Sequence, residues 1–169
     1  LTVGVSGDDS TGFIVEDNSI LKYVGGVNFE DPTDSDANNV YNIQVFADDG
    51  FNRTTQDVEI SVSDVPEAPE FVGLTPQVSV DENVRIVAAL NVVDPEGGPV
   101  TFGINGGDDS ALFRIFSIDS SNGNLAFNAF EGVDYETPED ANGDNVYEVQ
   151  LIAAEDSEGG LETTFDLSI

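Results

Sequence analysis

The chain contains no cysteine, histidine, methionine or tryptophan, and only four of its 169 residues are basic. Without cysteine no disulfide can form, and without thiolate or imidazole ligands an ordinary structural zinc site is excluded. The scarcity of Lys and Arg excludes nucleic acid as a partner and argues against docking on anionic membranes, because both surfaces attract clustered positive charge. No apolar run approaches the roughly 20 residues needed to span a bilayer.

Acidic residues, by contrast, are abundant: 34 Asp and Glu give a formal net charge of −30. So much like charge destabilises a compact state unless salt or cations offset it. The charge can be a solubilising surface of the halophilic kind, or the carboxylates can converge on divalent cations, and these two interpretations are compatible. Since only oxygen ligands are available, any metal site must suit a hard cation such as Ca²⁺. Hydrophobic residues make up 39% of the chain, enough for folded cores.

Apolar residues alternate with polar ones at a period of two, which predicts half-buried β-strands. The alternation is clearest at 41–47 and 147–153 and is repeated at 58–62, 165–169 and 78–80. No stretch has the pattern of an amphipathic helix. Short strands separated by Gly- and Asp-rich turns predict an all-β chain built of antiparallel β-sandwiches.

A segment near the start of the chain recurs near its end. Residues 34–45 read DSDANNVYNIQV and residues 140–151 read DANGDNVYEVQL. A repeat of about 100 residues has the length of one domain, so the chain is predicted to hold two tandem domains. Each copy has oxygen-bearing side chains at alternate positions: Asp34, Asp36 and Asn38, then Asp140, Asn142 and Asp144. This spacing is compatible with a short calcium loop, and equally with Asp and Asn residues that cap turns.

The predicted boundary is the segment DVPEAP at 64–69, whose two prolines favour a stiff, extended connector. We expect a partial domain at 1–66 and a complete one at 67–169. Because residues 1–4 match residues 100–103, the first domain has no counterpart of 76–99 and is expected to be truncated at its N-terminus, with an open core and exposed edges. The alternative is that a neighbouring chain supplies the missing strands. Any targeting segment is expected to lie outside the chain.

A second set of acidic residues is predicted to lie at the poles of the domains. Its members are Glu30, Asp64, Glu67, Glu82, Asp94, Glu96, Asp134, Glu136, and either Asp156 or Glu155. Taken one by one, each is an ordinary surface charge, but together they fall in short motifs. These motifs are FE at 29–30, DVPEAP at 64–69, DEN at 81–83, VDPEG at 93–97 and DYE at 134–136. In this order they resemble the cadherin-like repeats of large, calcium-dependent bacterial adhesins of the RTX type.

The resemblance implies tandem Greek-key sandwiches of the cadherin or immunoglobulin-like kind, with calcium bound between consecutive domains. One junction site would draw on Glu30 of the first domain, on Asp64 and Glu67 of the linker, and on Asp94 and Glu96 of the second domain. Asp156 or Glu155 would complete it. A further group, Glu82, Asp134 and Glu136, would lie at the far pole of the second domain.

Two departures from the family pattern weaken the expected junction site. Asn28 replaces the first Asp of the Asp-x-Glu element, and Pro66 replaces the linker Asn. The junction is therefore expected to bind fewer ions than is usual in the family, or to bind them less tightly.

Three functions are compatible with these features of the sequence. The first is a non-enzymatic, calcium-rigidified spacer in an extracellular bacterial adhesin, whose partners are neighbouring repeats. The second is a polysaccharide-binding or cell-surface-binding module, which needs an exposed aromatic platform; against it, Phe113, Phe116, Phe127 and Phe130 are expected to pack in the core, and no Trp is available. The third is glycoside hydrolysis by paired carboxylates, for which a small sandwich offers little cleft.

Overall fold

The computed structural model describes residues 1–156 and 160–169. The chain divides into two compact units, Leu1–Val65 and Pro66–Ile169, so the division falls within the proline-rich segment. Strands make up both units, and among the described residues the sole helix is a 3₁₀ turn at Ser110–Leu112. No described helix is long or apolar enough to cross a membrane.

Unit 1 contains a three-stranded antiparallel sheet and a separate hairpin. The sheet has the order β1 (Thr2–Ser6), β4 (Val40–Asp48), β5 (Arg53–Ser61), and the hairpin is formed by β2 (Phe13–Glu16) and β3 (Ile20–Tyr23). β4 and β5 pair from Val40↔Ser61 to Asp48↔Arg53. Their connecting turn is closed by Asp49, whose Oδ1 accepts the N–H groups of Phe51 and Asn52 at 2.8 and 2.7 Å.

Unit 2 is a sandwich of two antiparallel sheets. One has the order β6 (Glu70–Phe71), β7 (Ile86–Val93), β10 (Asn122–Phe127), β9 (Phe113–Ser117). The other has the order β12 (Glu162–Ser168), β11 (Glu148–Glu155), β8 (Val100–Gly106). Leu125 and Phe127 of the first sheet and Leu151 and Leu167 of the second share one buried cluster, as the period-two alternation requires of two facing sheets.

The segment around Val78 and Val80 differs from the prediction of a regular strand. It is extended but forms only an isolated parallel bridge, Gln77↔Ser168. The N–H of Val78 donates to the Ser168 carbonyl and the N–H of Ser168 donates to the Pro76 carbonyl, both at 2.9 Å. Pro76 has no N–H to extend the ladder. Both valines nevertheless pack against the core, so the alternation marked the buried face correctly.

Two of the four phenylalanines predicted in the core are not there. Phe113 and Phe127 are buried, whereas Phe116 is 39% and Phe130 82% exposed. Phe113 and Phe116 are three positions apart on β9, so the pleat turns them to opposite faces of the sheet. Phe130 follows the end of β10 and lies in a loop. The prediction for these two residues was wrong because it relied on their aromatic character and not on strand parity.

Candidate metal sites and the acidic loops

One cluster of carboxylates forms at the end of β7 in unit 2. Asp94, Glu96 and Glu155 each offer an oxygen, and these oxygens lie within 4.8 Å of one another. Asp94 and Glu96 occupy the turn between β7 and β8, and Glu155 is the last residue of β11, opposite Val100 of β8. The pairing of β8 with β11 therefore brings the turn and the strand end together.

Backbone hydrogen bonds hold this cluster in place. Asp94 is buried, and its Oδ1 accepts the N–H of Glu96 at 2.8 Å. The N–H of Glu67 donates to Glu96 Oε1 at 2.8 Å, and this bond is the main cause that lowers the pKa of Glu96. Within the described residues neither Asp94 nor Glu96 forms an ion pair with Lys or Arg. Both carboxylates are therefore available to a cation.

A second cluster lies at the other end of β7. Glu82, Asp134 and Glu136 are exposed, and each offers an oxygen within 4.8 Å of the others. The N–H of Tyr135 donates to Glu82 Oε2 at 3.2 Å, and the N–H of Glu136 donates to Asp134 Oδ1 at 3.0 Å. Because Glu82 precedes β7 and Asp94 follows it, an eight-residue strand of about 26 Å separates the two clusters.

The repeated loops have a different character, because their carboxylates are engaged by their own backbone. Asp34 is buried and accepts the N–H groups of Asn38 at 2.8 Å and Asn39 at 3.2 Å. Asp140, also buried, accepts those of Asp144 and Asn145 at the same distances. Burial raises the pKa of both Asp34 and Asp140, but the donated N–H groups outweigh it, and the net direction is downward.

Within each loop one amide and one carboxylate are also hydrogen-bonded to each other. Asn38 Nδ2 donates to Asp36 Oδ2 at 2.9 Å in unit 1, and Asn142 Nδ2 donates to Asp144 Oδ2 at 3.1 Å in unit 2. The chain order of amide and carboxylate is reversed between the units. These contacts are those of turn capping, and calcium ligation by the two loops stays a prediction.

Sequence reasoning missed a buried aspartate that clamps each loop. Asp109 accepts the N–H groups of Ala141 at 2.7 Å and Glu148 at 2.8 Å, so it spans the whole loop of unit 2. Asp9 accepts those of Ser35 and Asn42, both at 2.7 Å, in unit 1. The bonds from Asn42 and then Ser35 lower the pKa of Asp9.

The missed aspartates did have a sequence signal, the tetrapeptide GDDS at 7–10 and again at 107–110. Its glycine is required by a close approach to the strand that follows the loop. Gly107 has φ of 101°, and a Cβ there would lie 2.6 Å from the Glu148 carbonyl oxygen. Gly7 has φ of 111°, and a Cβ there would lie 3.3 Å from the Asn42 carbonyl oxygen, a looser approach than at Gly107. The motif therefore places its second aspartate beneath the acidic loop.

The remaining predicted ligands are Glu30 and Asp64 in unit 1 and Asp156 in unit 2. In unit 1, Asp64 follows β5 and is exposed, and the N–H of Glu30 donates to Asn28 Oδ1 at 3.1 Å. In unit 2 the N–H of Asp156 donates to the Pro99 carbonyl at 2.8 Å, and the geometry gathers Glu155, not Asp156, with Asp94 and Glu96. The participation of Glu30 and Asp64 stays a prediction.

Comparison with known proteins identifies the fold. No protein-family profile and no curated protein sequence matches the chain. The crystal structure of the human desmocollin-1 ectodomain matches with a TM-score of 0.56 and 22% identity, over 99% of this chain and 29% of that one. The structure of human protocadherin-24 EC1-2 matches with a TM-score of 0.46 and 19% identity, over 99% of this chain and 79% of that one.

The protocadherin gammaB7 EC3-6 cis-dimer structure matches with a TM-score of 0.48 and 17% identity, over 99% of this chain and 39% of that one. This chain thus spans less than a third of the desmocollin ectodomain. The predicted all-β, cadherin-like sandwich fold is confirmed, and calcium binding and a bacterial adhesin origin stay predictions.

Proposed function

We propose that the chain is a calcium-binding module of an extracellular bacterial adhesin, in which bound ions rigidify tandem repeats that act as a spacer or adhesion element. The observation that carries this proposal is the pair of carboxylate clusters flanking β7, Asp94 with Glu96 and Glu155 at one end and Glu82 with Asp134 and Glu136 at the other. A cadherin-like fold with acidic groups at both ends of a domain suits a repeat whose ends are joined through ions.

Calcium suits these clusters chemically. Ca²⁺ accepts six to eight oxygen ligands at about 2.3–2.6 Å and tolerates irregular geometry. Three carboxylates held within 4.8 Å repel one another when no cation is present. An ion converts that repulsion into attraction, so the metal is expected to stabilise the turn after β7 and the end of β11.

The sequence predicts that Glu30 and Asp64 add ligands to the ion held by Asp94, Glu96 and Glu155, with Glu67 from the linker. On this proposal, binding by residues from both sides of the boundary fixes the direction of one repeat with respect to the next. Calcium would then act on the length and stiffness of the parent protein. No chemical step is involved, and we propose that the module is not an enzyme.

The test is a calcium titration by calorimetry, combined with thermal unfolding after chelator treatment. Ligand at 100 times its Kd contributes about 2.7 kcal/mol, which for a chain of this size raises the melting temperature by about 5–10 °C. The double variant Asp94→Asn/Glu96→Gln is expected to lose the sites at the end of β7, and with them the part of the increase in melting temperature that they contribute. Glu59→Gln, an exposed acid on β5 outside both clusters, is the matched control. A melting temperature unaffected by calcium would refute the proposal.

A second measurement separates binding from rigidification. We expect Glu30→Gln/Asp64→Asn to weaken the site at Asp94 while leaving the cluster at Glu82 unchanged. Small-angle scattering of the wild type is expected to show a narrower distribution of shapes with calcium than with chelator. If calcium binds but the scattering does not change, the module binds calcium without acting as a stiffened spacer.

Polysaccharide binding, the alternative function, gains no support from the tyrosines. Tyr41 and Tyr147 are buried, so two of the four tyrosines of the chain cannot contribute to a sugar-stacking surface.

A further inference from the structure

The few basic residues of this chain are unevenly placed. Lys22 pairs with Glu16 at 3.8 Å, and Arg53 stacks on the ring of Phe46 at 3.4 Å, both in unit 1. The remaining two, Arg85 and Arg114, meet at a single ring in unit 2: the guanidinium carbons lie 4.8 and 5.6 Å from the centroid of Phe116. Half of the positive charge of the chain is therefore concentrated at one point.

The surroundings of that point are apolar and exposed. Arg85 also lies 5.4 Å from the ring of Phe130, which is 82% exposed. Ile86, at the start of β7, is exposed beside them. We call these five residues the Arg–Phe patch: Arg85, Ile86, Arg114, Phe116 and Phe130. Exposed aromatic and apolar groups in contact with one another mark interaction surfaces, and Arg and aromatic residues are enriched in protein interfaces.

Arg114 is held in position by a hydrogen-bond chain. Its Nε donates to Asn128 Oδ1 at 2.7 Å, and Asn128 Nδ2 donates to the Ala111 carbonyl at 2.6 Å. Among residues 1–156 and 160–169, no carboxylate forms an ion pair with either arginine of the patch. In a chain with 34 acidic residues, two neighbouring arginines without an ion pair in the described residues are suited to an acidic partner.

Unit 2 also carries a surface with the complementary chemistry. A cleft of about 790 Å³ is lined by the exposed carboxylates Asp108, Glu148 and Asp166 and, at its apolar side, by the exposed Pro76. We call it the acidic cleft. Its carboxylates match guanidinium groups, and its apolar side matches a phenyl ring. The cleft belongs to the sheet of β11 and β12, whereas the Arg–Phe patch belongs to the sheet of β7 and β9, so the two lie on different sheets of the sandwich.

We propose that the Arg–Phe patch of one copy of the chain binds the acidic cleft of a second copy. Phe130 and Phe116 fill the cleft against the exposed Pro76, and Arg114 and Arg85 pair with Asp108, Glu148 and Asp166. A second copy is the partner that the charges favour, because its cleft supplies carboxylates around an apolar surface. The contact joins two different surfaces and is therefore heterologous, so that a bound pair of copies still offers one free patch, on one copy, and one free cleft, on the other.

This contact is independent of the metal clusters, because neither surface includes Asp94, Glu96, Glu155, Glu82, Asp134 or Glu136. It is expected to form both in calcium and in chelator, at an ionic strength near 0.15 M that screens the repulsion between two acidic chains. Its failure would therefore leave the calcium proposal untouched, and the reverse also holds.

The experiment is a complementation test by sedimentation velocity on the full chain, over concentrations from about 10 μM to 1 mM in chelator. The patch variant is Arg114→Glu/Phe130→Ser and the cleft variant is Asp108→Lys/Asp166→Lys; all four side chains are exposed. The wild type is expected to form oligomers of increasing size with concentration. Each variant alone is expected to be monomeric, with self-association at least tenfold weaker. An equimolar mixture of the two is expected to form dimers and nothing larger, because only one native contact remains.

The matched control is Phe51→Ser/Arg53→Glu, which makes the same kinds of change at an exposed Phe and an Arg of unit 1. It is expected to associate like the wild type. The proposal is overturned if the wild type stays monomeric throughout, if the patch variant associates as strongly as the control, or if the mixture of variants forms no dimer. Circular dichroism and thermal unfolding of each variant establish that a monomeric result reflects the contact and not a loss of the fold.

Discussion

The two units hold the same acidic loop on cores of very different size. Tyr41 and Tyr147 occupy equivalent positions before the same alternating pattern, and both are buried. Of the 15 buried hydrophobic residues in the described part of the chain, only Tyr41 and Ile43 belong to unit 1. Unit 1 has no described counterpart of β6 and β7. The geometry of the loop is therefore set by the hydrogen bonds of its own aspartates and of the clamping aspartate, and it does not require a sandwich with all of its strands.

The largest expected difference between the units is in their cores. Leu151 is fully buried in unit 2, and its equivalent in unit 1, Val45, is partly exposed. Leu151→Ala is expected to destabilise unit 2 by about 3–5 kcal/mol, because it removes buried methyl groups and leaves a cavity. Val45→Ala is expected to lower the free energy of unfolding of unit 1 by about 1 kcal/mol. Amide hydrogen exchange, resolved by peptide, measures each unit separately. If the two substitutions lower the free energy of unfolding equally, the core of unit 1 is as well packed as that of unit 2.

The clamp under the loop is expected to give the next largest effect. Asp109→Ala leaves the N–H groups of Ala141 and Glu148 without their acceptor and is expected to cost about 2–4 kcal/mol, since hydrogen bonds to a charged group are stronger than neutral ones. Exchange at those two amides is expected to accelerate first. In unit 1, Asp9→Ala is expected to accelerate hydrogen exchange at the N–H groups of Ser35 and Asn42, because they lose the same kind of acceptor. If exchange in either loop is unchanged, the clamp does not hold that loop.

A smaller effect is expected from backbone strain in one loop only. Ala37 has φ of 56°, whereas its equivalent in unit 2 is Gly143 with φ of 75°. A left-handed conformation costs a residue with a Cβ about 1 kcal/mol. Ala37→Gly is therefore expected to stabilise unit 1 by up to about 1 kcal/mol, and Gly143→Ala to destabilise unit 2 by a similar amount. Thermal unfolding of both variants against the wild type measures this. Shifts of the same sign at the two positions would contradict it.

The smallest expected effect concerns the second carboxylate of the loop, which lies at Asp36 in unit 1 and two positions later, at Asp144, in unit 2. Partial loss of solvent and the adjacent Asp34 raise the pKa of Asp36, whereas unit 2 has the neutral Asn142 at this position. A raised pKa means that the folded form holds its proton more tightly, so stability falls as pH rises from about 3.8 through the folded pKa. Asp36→Asn is expected to stabilise unit 1 at pH 7, and the gain is expected to disappear below pH 3.8. Unfolding measured from pH 3 to 7 tests this; a gain independent of pH would rule it out.

Strand alternation predicted most of the fold. The buried residues of β4 and β11 fall at the positions that the period of two assigns to them, because one face of each strand meets the core. Phe116 follows the same alternation: it lies three positions after the buried Phe113 on β9, and its side chain is therefore turned to solvent. Register across strands also could not be read from sequence: whether Glu155 or Asp156 meets Asp94 depends on where β11 ends, and it ends at Glu155.

The buried aspartates were missed for a different reason. GDDS recurs at a spacing of 100 residues (7 to 107), whereas the acidic loop recurs at 106 (34 to 140). The difference arises between the two motifs, where β2 and β3 of unit 1 correspond to the longer β9 and β10 of unit 2. A search at the spacing of the loop alone therefore does not align Asp9 with Asp109. Only the contacts of Asp109 with Ala141 and Glu148 show that the two motifs act together.

The clamp at Asp109 has a consequence for what demetallation would do. Each of its carboxylate oxygens accepts an N–H group of the same unit, so the polypeptide itself holds this loop of unit 2. If calcium binds as proposed, a chelator would therefore loosen the two ends of β7 and leave the loop above Asp109 ordered.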